Sequence, residues 1–210
     1  MKSILGRKQG TTQLFNEKGE LCHVTVISAG PCYVTQVKTR ERDGRATLQL
    51  GFAERKKGTN KAHKGHFKKA GTPDLRFLRE FAVNDGEARK PGDVVKVDVL
   101  NGVGLVDVTG TTKGRGFAGC VRRHGFNRGP VTHGSKNIRE PGSAGQKTFP
   151  ARVFPGKRMP GQLGNQQRTI RSISVFRVDP ERDLLLLRGA VPGPIGGLLV
   201  IRQAIKELNK

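Results

Sequence analysis

The sequence lacks several features by which many protein classes are recognised. Its 210 residues include no Trp, one Tyr and three Cys. Because the three thiols are an odd number without C-x-x-C spacing, neither a disulfide scaffold nor a zinc ribbon is expected, and we expect reduced thiols in a cytoplasmic protein. The longest strongly apolar run, at 195–201, has seven residues, whereas a membrane-spanning helix needs about 20. The N-terminal segment also lacks the apolar core of a signal peptide.

Acidic residues are scarce as well. The chain has 17 Asp and Glu against 39 Lys and Arg, which gives a net charge of +22. A charge of this size causes strong self-repulsion unless a polyanionic partner neutralises it. Nucleic acid is the first candidate partner, and an acidic membrane surface is the second. The positive charge concentrates in residues 111–170, which hold twelve cations, one acid, eleven Gly and five Pro.

The hydrophobic pattern predicts a mainly β fold on both sides of this basic window. Alternation or short apolar runs predict strands at 21–27, 33–38, 47–52, 94–100, 104–108, 172–178, 184–187 and 198–202. Helices are predicted at 61–70 and at 72–81, where Thr72 can cap the helix and Pro73 can take its first position. Many short strands separated by turns suggest a barrel or a sandwich. The window has too few large apolar side chains for a core, so we expect an extended segment that RNA binding orders.

Motifs for catalysis and metal binding are incomplete in this sequence. The GxGxxG string at 114–119 follows a predicted strand but lacks the returning parallel strand of a dinucleotide fold. His63 and His66 have no acid or Cys nearby in sequence, and Cys22 and His23 point to opposite faces of one strand. We therefore expect no metal, no cofactor and no catalysis. A flavin- or nucleotide-using enzyme remains an alternative, as does a membrane-surface protein, although the chain lacks a long basic amphipathic helix.

RNA binding accounts for the basic window more fully. Lys and Arg neutralise phosphates, and Phe117, Phe126, Phe149 and Phe154 lie among them, where they could stack on unpaired bases or make local contacts. A second basic cluster at 55–69 holds seven cations and is either another phosphate-contact surface or a solvated face. The candidate RNA-binding residues are Lys113, Arg115, Arg122, Arg123, Arg128, Lys136, Arg139, Lys147, Arg152, Lys157, Arg158 and Arg168 in the window, and Lys56, Lys57, Lys61, Lys64 and Lys68 in the cluster.

Several segments resemble one known family. Residues 100–123, LNGVGLVDVTGTTKGRGFAGCVRR, resemble the signature of large-subunit ribosomal protein three in its bacterial form. The same family is resembled at 5–12 (LGRKQGTT), 132–135 (THGS), 141–146 (PGSAGQ), 156–162 (GKRMPGQ), 164–165 (GN) and 185–193 (LLLRGAVPG). The resemblance covers essentially the whole chain.

The resemblance implies a fold and its division. The expected fold is mainly β: a six-stranded translation-protein-type β-barrel with short helices and a long, irregular basic extension inserted. Residues 1–111 and 169–210 would form the barrel body, with a basic helical and loop insert at about 55–90. Residues 112–168 would form an extension that penetrates rRNA.

The resemblance also implies a function without catalysis. The chain would be a structural constituent of the large ribosomal subunit in the cytoplasm, and a primary binder of 23S-type rRNA near its 3′ end that nucleates assembly. The tip of the extension, matched to Gln146, Lys147 and Thr148, would approach the peptidyl transferase centre. Thr148 stands where some relatives carry a methylated glutamine, so that modification does not carry over. The expected partners are this rRNA and large-subunit ribosomal proteins fourteen and nineteen, with no membrane and no homo-oligomer.

Overall fold

The secondary structure is dominated by strands. The computed structural model describes residues 2–55, 57–83 and 89–208. Its strands are β1 Ser3–Phe15, β2 Leu21–Ala29, β3 Cys32–Lys38, β4 Thr47–Glu54, β5 Leu75–Ala82, β6 Val94–Val95, β7 Leu105–Thr111, β8 Phe117–Ala118, β9 Gly161–Gln162, β10 Gln167–Asp179, β11 Leu184–Arg188 and β12 Leu198–Gln203. The helices are α1 Arg40–Asp43, α2 Lys61–Ala70, α3 Cys120–His124 and α4 Ile205–Leu208, and a 3-10 helix spans Val97–Leu100. The predicted mainly β fold with short helices is confirmed.

Six strands pair in a closed barrel in the order β1-β12-β7-β10-β11-β2, and β2 returns to β1. All six pairings are antiparallel. Apolar side chains alternate along the strands, so Leu185 and Leu187 of β11 and Leu199 and Ile201 of β12 are buried. The register shifts once in each of the β1–β2, β7–β10 and β10–β11 pairs, and such bulges bend strands as closure of a small sheet requires.

A second sheet, in the order β5-β4-β3-β6, packs its apolar face into the same core. Val34 of β3 and Leu50 and Phe52 of β4 belong to one buried cluster with Ile4 and Leu5 of β1. Both sheets are therefore stabilised by a single core.

Helix α2 begins and ends where its sequence predicts. The Asn60 side chain accepts a hydrogen bond from the His63 backbone N–H at 2.9 Å, which caps the N-terminus. Gly71 follows the last turn with φ of 67°, a left-handed conformation that glycine adopts without strain. Phe67 and Ala70 are buried on one face, so tertiary packing stabilises this short helix.

Two sequence predictions are wrong in part or in full, and one long strand is not predicted. The helix predicted at 72–81 is wrong, because Leu75–Ala82 pairs with β4 and buries Leu75 and Phe81. The strand predicted at 94–100 is wrong beyond Val95, because Val97 and Leu100 are three residues apart and both fully buried, as the three-residue period of a 3-10 helix allows. Strand β1 was not predicted, since polar residues and two glycines obscure its alternation.

Residues Thr112–Gln166 form a compact unit of their own, separate from the unit that holds both sheets. The predicted extension ran to residue 168, but Gln167 and Arg168 lie in β10, opposite Thr111 and Gly110 of β7. That the Thr112–Gln166 unit penetrates rRNA stays a prediction. Within the described ranges, no helix has both the length and the apolar character to span a membrane.

Candidate nucleic-acid interface

The two ends of the Thr112–Gln166 unit are joined by backbone hydrogen bonds. The Thr112 N–H donates to the Gln166 carbonyl at 2.9 Å, Arg115 donates to Leu163 at 2.8 Å, and Leu163 donates to Gly116 at 2.9 Å. Strands β8 and β9 pair next to these bonds, with Phe117 opposite Gln162. Gly164 has φ of 74°, and a Cβ there would overlap the Lys113 carbonyl. The close approach of these two segments therefore requires glycine.

Helix α3 packs against the returning chain at residues 158–161. The Arg123 guanidinium donates to the Met159 carbonyl at 2.6 Å, and His124 Nε2 lies 2.9 Å from the same oxygen. Ala118 and Cys120 are buried. A Cβ at Gly161 would lie 2.8 Å from Arg123 Nη1, so glycine leaves room for this guanidinium. The packing of α3 against residues 158–161 differs from the wholly extended segment that the sequence predicts, because glycines allow close packing without a large apolar core.

Residues 126–157 have no strand or helix. Few backbone hydrogen bonds are found among them; one crosses a loop, with the Gly129 N–H donating to the Ile138 carbonyl at 3.0 Å. Side chains along this stretch are mostly exposed, and Gln146, Lys147 and Thr148 at the predicted tip are all exposed. Here the structure agrees with the irregular path expected from the Gly and Pro content.

Nearly all candidate cations reach solvent. Every candidate that the structure describes is exposed except Arg123, which is half-buried, and Lys56 lies outside the described residues. None of these described cations has an ion pair with a described carboxylate, and the Thr112–Gln166 unit contains eleven cations and one acid, Glu140. Its positive charge is therefore not compensated within the unit and is available to phosphates.

Helix α2 presents a second basic surface. Lys61, Lys64 and Lys68 are exposed, while Phe67 is buried on the packed face. The ring of His66 is 2.8 Å from Gln49 Oε1, so it contacts the protein rather than solvent alone. The structure thus assigns the lysines, but not His66, to the open face.

The four phenylalanines of the basic window are not equivalent. Phe117 and Phe149 are each 78 % exposed and Phe154 is 60 % exposed. Phe126 is half-buried, and its ring centroid lies 6.0 Å from that of His124. Local contact therefore accounts for Phe126 but not for the other three.

The structure also bears on metal binding and on the cysteines. No group of three His, Cys, Asp or Glu side chains there could hold a metal ion. Cys22 is buried and His23 is exposed, as expected for neighbours on one strand. Burial raises the pKa of Cys32 to about 12, so its thiol stays protonated, and it donates to the Leu5 carbonyl.

Sequence reasoning missed the structural role of α3. Arg123 was predicted to bind phosphate, but at least one of its N–H groups is used within the protein, and Cys120 and His124 join it in holding the 158–161 segment. Gly161 is the one signal that could have indicated this packing, since glycine often marks a close approach.

The sequence matches a known family and many of its members. The family described as Ribosomal protein L3 matches at residues 79–184. A protein of Carboxydothermus hydrogenoformans named large ribosomal subunit protein uL3 is 52 % identical over 206 residues, covering 98 % of each chain. Proteins of the same name from Thermotoga petrophila, 52 % identical over 97 % of this chain and 98 % of the relative, and from Thermosynechococcus vestitus, 50 % identical over 96 % and 95 %, are also similar.

About half of the residues are identical over almost the full length of both chains, so little of either sequence is unmatched. The matched part includes the glycine-rich ends of the Thr112–Gln166 unit and the cations described above. The chain belongs to the ribosomal protein L3 family.

Proposed function

We propose that this protein binds large-subunit rRNA near its 3′ end early in assembly and thereby nucleates folding of that RNA region. As a member of the ribosomal protein L3 family, the chain is a structural constituent of the large subunit of cytoplasmic ribosomes, and it is not an enzyme. Membership in this family decides against the flavin- or nucleotide-using alternative. The observation that carries the proposal is the set of exposed, uncompensated cations on the Thr112–Gln166 unit.

Finer features are proposed from the family resemblance. The closed six-stranded barrel is assigned to the translation-protein type, and the Thr112–Gln166 unit to an extension that enters rRNA. Gln146, Lys147 and Thr148 would lie near the peptidyl transferase centre, and their exposure supports contact with RNA rather than a role in stability. Ribosomal proteins fourteen and nineteen of the large subunit are the proposed protein partners. The lysines of α2 would form a second phosphate-contact surface.

Salt dependence of RNA binding tests the proposal. If about ten phosphates are neutralised, the slope of log K against log salt for an rRNA fragment from the 3′ region should be about −7 to −9. Replacing Arg128, Lys136, Arg139 and Lys147 with Gln should make the slope shallower by about three, since each lost phosphate contact removes about 0.7 to 0.9.

A matched variant controls for net charge alone. Lys18, Arg42, Arg182 and Lys206 are also exposed but lie outside the proposed interface, so their replacement by Gln should change the slope by less than about one. A wild-type slope shallower than about −2, or equal effects of the two variants, would contradict phosphate binding by the Thr112–Gln166 unit.

A further inference from the structure

We propose that Phe117 is a stacking platform for one unpaired base of the bound RNA. This inference rests on the proposed function and adds a specific ligand, a single-stranded nucleobase, at a specific side chain. Phe117 is 78 % exposed, although its neighbours Ala118 and Cys120 are buried at 5 % and 3 %. The ring of Phe117 thus faces solvent, whereas the next side chain, that of Ala118, packs inward.

The backbone on both sides of Phe117 is fixed. On one side, Arg115 donates to Leu163 and Leu163 donates to Gly116, and Phe117 itself pairs with Gln162. On the other side, α3 begins within three residues, with the Arg123 N–H donating to the Gly119 carbonyl at 2.9 Å. A ring on such a support loses little backbone freedom when a ligand binds, which favours binding. Phe149 and Phe154 are exposed too, but they lie where the chain has no strand or helix.

The charges around Phe117 favour RNA over an apolar protein partner. Arg115 and Arg122 lie two and five residues away, and both are exposed without an ion pair to a described carboxylate. No acid occurs in the sequence between Asp107 and Glu140. Single-stranded RNA presents a base to an aromatic ring and its phosphates to neighbouring cations. A protein surface would have to supply an apolar patch surrounded by acids to match the same features.

A single-tryptophan variant tests the contact directly. Because the chain has no Trp, Phe117→Trp provides the only indole. Stacking on a base should quench its fluorescence by more than half when the 3′-region rRNA fragment is added, and should protect it from acrylamide. Phe15→Trp is the matched control, since Phe15 is 71 % exposed at the end of β1, two residues before Glu17 in the sequence. Its fluorescence should change little.

Binding by two further variants separates stacking from other contacts. Phe117→Ala should weaken RNA binding by about tenfold, within the range of one lost base stack, while the salt slope stays unchanged. Phe117→Leu keeps an apolar side chain without a π face and should be weakened nearly as much. Circular dichroism and thermal melting of each variant must match the wild type, so that a folding defect is not counted as a binding defect.

The outcomes distinguish the inference from the proposed function. A steep salt slope with no quenching of the indole in Phe117→Trp and full affinity of Phe117→Ala would overturn stacking and leave phosphate binding intact. Quenching of the same indole by added large-subunit ribosomal proteins, but not by RNA, would overturn it in favour of a protein contact. A shallow slope for the wild type would instead contradict the proposed function itself.

Discussion

A single carboxylate, that of Glu207, ties the last described helix to the start of β7. It accepts hydrogen bonds from the backbone N–H groups of Gly104 at 2.7 Å and Leu105 at 3.4 Å. The hydrogen bond from Gly104 is the main reason that the pKa of Glu207 lies below its ordinary value of 4.5. Desolvation opposes this shift, whereas Leu105, Gln203 and the charge of Lys2 lower the pKa further. The ionised carboxylate therefore contributes to stability.

The direction of this pKa shift predicts a pH dependence. A carboxyl group whose pKa is depressed by folding stabilises the folded state above its unfolded pKa and loses that contribution as pH falls through its folded pKa. Glu207→Gln should therefore have a lower melting temperature than the wild type above about pH 5, and the difference should shrink below about pH 4. Thermal melting followed by circular dichroism between about pH 3 and 7 measures it. A difference that stays constant over this range would show that ionisation of Glu207 is not involved.

At the residue scale, sequence predicts chemistry better than environment. The positions of the candidate cations are evident from the sequence. The structure leaves almost all of those it describes exposed, without an ion pair to a described carboxylate. The exposure and contacts of the Phe117, Phe126 and Arg123 side chains are not evident from the sequence. Arg123 contacts Met159, which is more than thirty residues away, and Phe126 lies beside the ring of His124.

At the scale of single elements, glycine positions in β1 set how closely strands approach. A Cβ on Gly6 would lie 2.8 Å from Ile27 Cγ2 and 2.9 Å from the Ser28 carbonyl oxygen, whereas a Cβ on Gly10 would meet nothing within 4 Å. Both residues lie in the same strand and pair with β2. They therefore form a matched pair for testing strand packing.

Gly6→Ala should destabilise the protein by about 1–3 kcal/mol, because the added methyl overpacks a close contact. Gly10→Ala should be neutral within about 0.5 kcal/mol or slightly stabilising, since alanine reduces the entropy of the unfolded chain. Urea unfolding of both variants gives the two free energies of unfolding. Equal losses for Gly6→Ala and Gly10→Ala would indicate a general cost of alanine in β1 rather than a contact with β2.

Elements were predictable where local and tertiary preferences agree. The helix predicted at 61–70 has the same bounds as α2, and in the structure Asn60, Gly71 and the buried Phe67 all favour this helix. The segment at 72–81 has a helix-start sequence, but pairing with β4 outweighs this local preference. In β1 the alternation of apolar and polar residues is weak, so the strand is recognised from its pairing with β2 and β12 and not from its sequence.

At the scale of the whole molecule, composition divides the chain. The window at 111–170 was recognisable because it combines high charge and glycine with few large apolar residues, and the core cluster draws its residues from outside it. The exact end of the separate unit was not predictable, since Gln167 and Arg168 are polar residues inside an exposed part of β10. Polarity does not mark the end of a strand that faces solvent.

Removing the separate unit should leave the barrel folded. Thr111 and Gln167 are cross-strand partners in β7 and β10, so a short Gly/Ser linker in place of residues 113–165 can join them without strain, and loop length changes stability only slowly. We expect cooperative thermal unfolding close to that of the wild type, with loss of tight rRNA binding. A non-cooperative melt would show that the barrel depends on the Thr112–Gln166 unit.

Because β1 pairs with β12, the six-stranded barrel cannot close until β12 has been synthesised. Ser3 lies opposite Arg202, and Arg7 lies opposite Leu198, so β1 leaves the translating ribosome long before β12 and the two strands pair only after a delay. At about 5–20 residues per second, that delay is roughly 10–40 s. The β1–β2 hairpin can form early, but until β12 arrives the other edge of β1 is an open template for strand pairing. A nascent chain of this protein therefore carries an edge of β1 that can pair wrongly until β12 emerges.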